Sequence, residues 1–354
     1  APAAELRRAT ARILAHGRAG RWPGALGELE VLAQRRLGPN VVHCNAAISA
    51  CGRGGQGIRA LAILDGMQRG AIRADAVSYN AAISACQRCR RWTEALALLR
   101  GMRKAAFLPD AYSYNSSISA CEKGSRWHAA LMLFVKMRAM GVRLALITYS
   151  AAISACEKGQ QWRSALGLLR DFRCSSIQSD VTLYSAAVSA CEKGFQWARG
   201  LMLAEEAAAC GLRPDVVLVN AATSACEKGH QWAIALLLLD GMVTRGVRAD
   251  LISHNALISA CQKGSQWAFA LALAGRLSGQ RLQPDAITYN ASISACEKGL
   301  QWRTAFALAA AMPRARVHAD VVTLNALLSL CERLGRWQQS LALLGDMCRG
   351  GVPP

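Results

Sequence analysis

Apolar residues recur along the chain with helical spacing. Tyr79, Ile83 and Cys86 are spaced i, i+4 and i+7 and would lie on one face of a helix. A second segment begins at Trp92, and Trp92 and Leu99 would lie on one apolar face of its helix. Ala and Leu, which favour helix, dominate the composition. The pattern predicts pairs of short amphipathic helices.

This two-helix pattern repeats every 35 residues. Tryptophans mark the period at positions 92, 127, 162, 197, 232, 267, 302 and 337, and Trp22 falls in phase with them. Ten repeats begin at residues 6, 41, 76, 111, 146, 181, 216, 251, 286 and 321, with residues 1–5 left as an N-terminal remnant. Because one hairpin cannot bury both of its faces, the repeats are expected to stack. The prediction is a single array covering 6–354, an all-α, right-handed solenoid superhelix of about ten helical hairpins.

Two local signals are expected to bound the first helix of each repeat. Ser or Thr, as at Ser78 and Thr148, is expected to cap its N-terminus. Gly, as at Gly124, is expected to end it in a left-handed conformation. The repeat from Val41 to Asp75 has Gly57 in place of Trp, so its second helix is expected to start late or to fray.

The chain carries 42 Lys and Arg against 23 Asp and Glu, a net charge of +19. Such an excess favours a polyanionic partner, either nucleic acid or an anionic membrane surface. No transmembrane run or signal peptide is recognisable, and the chain begins at Ala1 rather than Met, so any targeting peptide would lie outside it.

Cysteine follows the same period of 35 residues. The recurring positions are Cys51, Cys86, Cys121, Cys156, Cys191, Cys226, Cys261, Cys296 and Cys331. Equivalent positions on stacked helices are roughly 8–10 Å apart, too far for a disulfide. They are therefore interpreted as buried, reduced thiols. Cys86 and Cys89 form a single CxxC, which is a weak metal-site signal without a second pair.

Three polar positions also recur. Short hydrogen-bonding residues lie early in the first helix, an acid or amide closes most repeats, and a basic residue ends the first helix. The basic residues are Arg18, Arg53, Arg88, Lys123, Lys158, Lys193, Lys228, Lys263, Lys298 and Arg333. Each set has a structural explanation as helix caps or dipole partners. A basic residue in all ten repeats would nevertheless form a stripe suited to contacting phosphates.

The phrase VSYNAAISACQRCRRWTEALALLRGM, followed by a loop with Pro109 and Asp110, closely resembles the pentatricopeptide repeat (PPR) family, and the likeness runs over residues 6–354 as a P-type array. The period of 35 separates it from tetratricopeptide repeats. The resemblance implies single-stranded RNA binding with about one base read per repeat.

The resemblance also implies which residues read the bases, running 5′ to 3′ from the N-terminus. The implied base-reading residues are Thr10 with Asn40, Asn45 with Asp75, Asn80 with Asp110, Asn115 beside Ala145, Ser150 with Asp180, Ser185 with Asp215, Asn220 with Asp250, Asn255 with Asp285, Asn290 with Asp320, and Asn325 without a partner. In the family, Asn with Asp favours U, Ser with Asp favours G, and Thr with Asn favours A. The implied tract is 5′-AUUYGGUUUY-3′.

The family clamps each base between side chains of adjacent repeats. The implied clamping residues are Val42, Val77, Tyr112, Ile147, Val217, Ile252, Ile287 and Val322. Thr182 and Arg7 depart from the pattern. The alternative is that these are core residues, since apolar periodicity alone does not separate the two. The tryptophans, spaced with Leu and Met, are interpreted as packing between repeats rather than as base-stacking platforms.

No catalytic constellation interrupts the repeat. The six histidines fall at six different repeat positions, and no deaminase motif or Gly-rich phosphate loop is present. We therefore expect no enzymatic activity, no cofactor, no metal, no small-molecule substrate and no membrane, with a separate catalytic or processing protein left open as a partner. The resemblance implies RNA processing, stability or translation in a plastid or mitochondrion. A protein-interaction scaffold of helical hairpins is the alternative function.

Overall fold

The computed structural model describes residues 2–35, 39–70, 72–175, 177–244, 246–279, 282–335 and 338. These residues form 19 α-helices and one short 3₁₀ helix, with no strand among them. The first helices of the repeats are α1 (Pro2–Arg18), α3 (Val41–Arg53), α5 (Ala76–Arg88), α7 (Ala111–Lys123), α9 (Leu146–Lys158), α11 (Val181–Lys193), α13 (Val216–Lys228), α15 (Leu251–Lys263), α17 (Ala286–Lys298) and α19 (Val321–Arg333).

The second helices complete the hairpins. They are α2 (Trp22–Gln34), α4 (Gly57–Arg69), α6 (Trp92–Lys104), α8 (Trp127–Ala139), α10 (Trp162–Arg173), α12 (Trp197–Ala209), α14 (Trp232–Thr244), α16 (Trp267–Gly279) and α18 (Trp302–Ala311), with the 3₁₀ helix at Pro313–Ala315. The all-helical hairpin solenoid expected from the period is thus confirmed. Trp337 and most of the second half of the tenth predicted repeat lie outside the described residues.

The helices form two compact blocks, Ala1–Ser179 and Asp180–Pro354. Within each block, a first helix packs against the first helix of the next repeat and against its own second helix, as α3 packs against α5 and α4. The predicted apolar face is buried: Tyr79 is 5% exposed, and Ile83 and Cys86 are fully buried. The core therefore runs from hairpin to hairpin inside each block.

The cysteine positions spaced by 35 residues belong to this core. All nine are free thiols with at most 1% exposure, which confirms the interpretation as small buried apolar residues. Burial raises the pKa of most of these thiols, that of Cys86 and Cys156 to about 12. Among the described residues no three His, Cys, Asp or Glu side chains are grouped as metal ligands, and no helix is long and apolar enough to cross a bilayer.

Three local expectations were wrong. Gly124 ends α7 with φ −84°, and the left-handed residue is the next one, Ser125, with φ 56°. Ser78 is not an N-cap but the third residue of α5, because Asp75 caps the helix. α4 spans 13 residues, the length of most second helices, so the loss of Trp at Gly57 does not delay its start.

Candidate nucleic-acid interface

In six repeats the acid that closes the repeat caps the first helix of the next one, whereas the Asp180 side chain makes no capping hydrogen bond. Asp110 Oδ1 accepts a hydrogen bond from the backbone N–H of Ser113 at 2.8 Å, and the Ser113 hydroxyl lies 2.8 Å from the same oxygen. Asp75, Asp250, Asp285 and Asp320 repeat this geometry. The structural explanation of the closing acid as a helix cap is therefore correct, and it fixes each carboxylate at the seam between two hairpins.

The Asn residues early in the first helix do not cap it, because they lie one turn inside. Their side chains reach the capping acid of the next repeat instead. Asn255 Nδ2 donates to Asp285 Oδ1 at 3.1 Å, and Asn290 Nδ2 donates to both Asp320 oxygens at 3.0 Å. The same contact joins Asn45 to Asp75, Asn80 to Asp110 and Asn220 to Asp250. The predicted residue pairs thus lie within hydrogen-bonding distance in these five repeats.

The remaining pairs differ. Ser185 Oγ donates to the Val181 carbonyl at 2.9 Å and lies 3.5 Å from Asp215 Oδ1. Thr10 and Asn40 are joined through His43, whose Nε2 lies 3.0 Å from Thr10 Oγ1 and whose Nδ1 accepts the Asn40 N–H at 3.2 Å. Asn115 has no carboxylate opposite, since Ala145 stands in its place. Ser150 and Asp180 belong to different blocks.

The predicted clamping residues are exposed. Their exposed fractions range from 54% for Tyr112 to 69% for Ile147. The eight residues are Val42, Val77, Tyr112, Ile147, Val217, Ile252, Ile287 and Val322. The alternative that they are core residues therefore does not hold. Within each block, large apolar side chains exposed at the same position of successive repeats are typical of a binding surface.

One cleft in the N-terminal block brings the three predicted kinds of residue together. It has a volume of about 420 Å³ and is lined by Val77, Tyr112, Asn80, Arg53 and Arg88, among others. Asn80 and Arg88 are eight residues apart on α5 and therefore share a face of the helix. The cleft offers two apolar walls, an amide and two cations, a set that suits a base and its phosphates.

Sequence reasoning missed an acidic series that neutralises part of the basic stripe. Glu122, one residue before Lys123, forms an ion pair with Lys158 of the next repeat, with 2.7 Å between Glu122 Oε1 and Lys158 Nζ. Lys228 pairs with Glu192 at 2.9 Å and Lys263 with Glu227 at 3.0 Å. The signal was in the sequence, because Glu recurs at 122, 157, 192, 227, 297 and 332. The stripe is therefore less uniformly positive than its Lys and Arg content indicates.

Six tryptophans of the described residues pack between repeats, as interpreted from their spacing. Trp92, Trp127, Trp197, Trp232 and Trp267 each lie against the glycine that ends the first helix of the next repeat. All are half-buried, and Trp232 and Trp267 adjoin the apolar core of the C-terminal block. Their indole rings therefore have a structural role at the seams.

The fold and these seams define a class, the α-solenoids of 35-residue helical hairpins. A sequence-family model described as the PPR repeat family matches residues 74–123, one described as the pentatricopeptide repeat domain matches 29–89 and 237–298, and one described as PPR repeat matches 112–142 and 322–352. The chain belongs to the pentatricopeptide repeat family. Among curated proteins no relative matches it.

Solved structures of the family share the fold. The structure of the pentatricopeptide repeat protein PPR10 in complex with an 18-nucleotide psaJ RNA element is similar with a TM-score of 0.70 and 21% identity, over 98% of this chain. The structure of PPR10 from maize is similar with a TM-score of 0.52 and 20% identity, over 99% of this chain and 59% of that one. The chain spans 56% of the RNA-bound PPR10 chain.

Proposed function

We propose that this chain binds single-stranded RNA in a sequence-specific manner, with one base read per repeat. The observation that carries the proposal is the cleft lined by Asn80, by the exposed side chains of Val77 and Tyr112, and by Arg53 and Arg88. A flat base would be held by the two apolar walls, its polar edge would meet the amide, and the phosphates would meet the guanidinium groups. The fold likeness to PPR10, which is described in complex with RNA, supports the same function.

The proposed target is the tract 5′-AUUYGGUUUY-3′, with the closing acid and the early Asn or Ser of each repeat facing the base edge. Asn and Asp in hydrogen-bonding distance present both a donor and an acceptor to that edge, as reading a uracil requires. We further propose that the chain binds without catalysing a reaction and acts in plastid or mitochondrial RNA processing, stability or translation, with any catalytic step supplied by a separate protein.

The second candidate is a protein-interaction scaffold. The observation that supports it is the exposure of apolar side chains on the second helices, such as Met202, which is 67% exposed, and Leu237, which is 70% exposed. These side chains recur in few repeats, whereas an exposed clamping residue recurs in eight of the ten, with Arg7 and Thr182 as the exceptions. The regular polar and apolar rows therefore favour RNA over a protein partner.

Direct binding to synthetic oligonucleotides tests the proposal. Affinity is measured for 5′-AUUYGGUUUY-3′, for the same tract with GG changed to UU, for a scrambled RNA and for the DNA version, each at two salt concentrations. The expected order places the first RNA tightest. Equal affinity for all four with a steep salt dependence would leave only charge-driven binding. No binding by the folded protein would move the scaffold to first place.

A further inference from the structure

A third position varies together with the base-reading residue along this chain. It is the third residue of the next repeat's first helix, 33 residues after the reading residue, and we call it the bridging residue. Six of the seven Asn reading residues have this position within the sequence, and all six are followed by a hydroxyl: Asn45 by Ser78, Asn80 by Ser113, Asn115 by Thr148, Asn220 by Ser253, Asn255 by Thr288 and Asn290 by Thr323. Ser is followed by Leu, at Ser150 with Leu183 and Ser185 with Leu218, and Thr10 is followed by His43.

The structure gives a reason for the hydroxyl opposite Asn. Thr288 Oγ1 donates to Asn255 Oδ1 at 2.6 Å, and Ser253 Oγ donates to Asn220 Oδ1 at 2.6 Å. The equivalent contacts are 2.5 Å from Ser113 to Asn80, 2.7 Å from Thr148 to Asn115 and 2.5 Å from Thr323 to Asn290. The hydroxyl thus turns the amide oxygen toward the seam and leaves the amide nitrogen toward the capping acid.

Asn115 separates the hydroxyl's role from that of the acid. Ala145 takes the place of the acid there, yet Thr148 Oγ1 still donates to Asn115 Oδ1 and accepts the Ala145 N–H at 3.2 Å. At Asn45 the Ser78 hydroxyl donates to Asp75 instead, at 2.8 Å, and Asn45 Oδ1 is buried without a hydrogen-bond partner. The contact therefore forms in five of the six Asn repeats and does not require the acid.

Leucine opposite serine follows from the same geometry. The Ser185 hydroxyl is satisfied inside its own helix by the Val181 carbonyl, and it needs no donor from the next repeat. Leu218, which holds the bridging position of this repeat pair, is fully buried. An Asn facing this Leu would direct its Oδ1 at an apolar side chain, and a buried acceptor without a donor is costly.

We propose that the bridging residue is a positioning residue that determines which reading residue, and hence which base, its seam can use. A hydroxyl at the bridging position orients an Asn reading residue to bind U. A Leu at the bridging position accommodates a Ser reading residue, which binds G. This inference rests on the proposed RNA-reading function and adds a third residue to each reading pair. It implies that Ser and Asn cannot be exchanged at a reading position without changing the residue 33 positions later.

Exchanging one seam tests the inference. Ser185→Asn, Leu218→Thr and the double variant are compared with the wild type on RNAs carrying G or U at the sixth nucleotide of the tract. The wild type is expected to prefer G. Ser185→Asn alone is expected to lose that preference without gaining a strong one for U, and the double variant is expected to prefer U at least fivefold more than the single variant does. Equal preference for U in both variants would overturn the proposal.

The native Asn255 seam provides the converse test in a context that already has its hydroxyl. Thr288→Val is expected to reduce discrimination at the eighth nucleotide at least threefold, and Thr288→Ser is expected to retain it. A purely structural role would lower affinity for all bases alike in Thr288→Val, which would also overturn the proposal. Loss of discrimination at every position by the wild-type protein would instead contradict the RNA-reading function itself, so the two failures are distinguishable.

Discussion

Trp92 lies so close to Gly124, in the next repeat, that a Cβ atom on Gly124 would come within 2.6 Å of its Cδ1 atom. Real Cβ atoms do not approach other atoms so closely, so this seam requires glycine for space. Gly124 has φ −84° and does not need glycine for its backbone conformation. The same overlap would occur at Gly54, Gly159, Gly229, Gly264 and Gly299.

Replacing Gly124 by Ala is therefore expected to destabilise the N-terminal block, by about 1–3 kcal/mol from overpacking. The matched control is Gly167→Ala, at an exposed site inside α10 where an added Cβ meets nothing within 4 Å. That control is expected to stabilise by about 0.5–1 kcal/mol because Ala favours helix. Urea unfolding of both variants checks the pair, and destabilisation of similar size in both would contradict the steric explanation.

The repeat without Trp carries a compensating change at the same seam. Gly57 replaces Trp, and Cys89 replaces the facing glycine; a Cβ on Gly57 would lie 3.0 Å from Cys89 Sγ. Gly57→Trp alone is expected to lower the melting temperature because the indole meets the Cys89 side chain. Gly57→Trp with Cys89→Gly recreates the common pair and is expected to recover at least the wild-type value. Additive effects in the double variant would show that the two positions are not coupled.

These seams mark the limit of what the sequence could predict. The period and apolar spacing were enough to predict the hairpins and the buried Cys positions, and the family resemblance implied the pairing of Asn80 with Asp110. The role of Gly124 was missed because a glycine after a basic residue also suits a left-handed helix end, and the Trp92 that crowds it lies 32 residues away. The pairing of Lys158 with Glu122 was missed for a similar reason, since it depends on how neighbouring hairpins stack.

The residue that follows each first helix in the left-handed backbone conformation is a site where a substitution is expected to increase stability. Glycine occupies it at Gly20, Gly55 and Gly335, whereas Ser265 adopts φ 58° with a side chain. Ser265→Gly is expected to stabilise the C-terminal block by about 1 kcal/mol, because the left-handed region strains L-residues. Ser265→Ala retains the Cβ and is expected to give no such gain. Equal melting temperatures for the two variants would contradict strain at this position.

The ion pairs between repeats are expected to reduce the contribution of particular lysines to RNA binding. Lys158 forms an ion pair with Glu122, which lies 36 residues earlier in the chain. The position 36 residues before Arg88 is Gly52, which has no carboxylate to offer. Arg88→Gln is expected to weaken RNA binding more than Lys158→Gln does and to lower the salt dependence by about 0.7 counterions. Glu122→Gln is expected to strengthen binding because it frees Lys158. Affinities at two salt concentrations check this, and equal losses for the two cation variants would argue against it.

The capping acids predict a loss of stability in acid. Burial acts to raise the pKa of Asp75, Asp250, Asp285 and Asp320, but hydrogen bonds from the next helix and from the facing Asn outweigh it, so the pKa is lowered. A carboxyl with a lowered pKa in the folded state contributes stability that is fully present above its unfolded value. That contribution is lost as the pH falls through the folded value, here below about pH 4.

Thermal unfolding between neutral pH and about pH 3 measures this loss. Asp285→Asn keeps a side-chain oxygen that can cap α17 but removes one titrating group. This variant is expected to be less stable than the wild type at neutral pH, where the carboxylate binds its donors more strongly, and to lose less stability on acidification. Curves that stay parallel down to the lowest pH would mean that Asp285 does not contribute to acid sensitivity. Converging curves would identify the capping carboxylates as the groups whose protonation loosens the seams that hold the predicted reading residues.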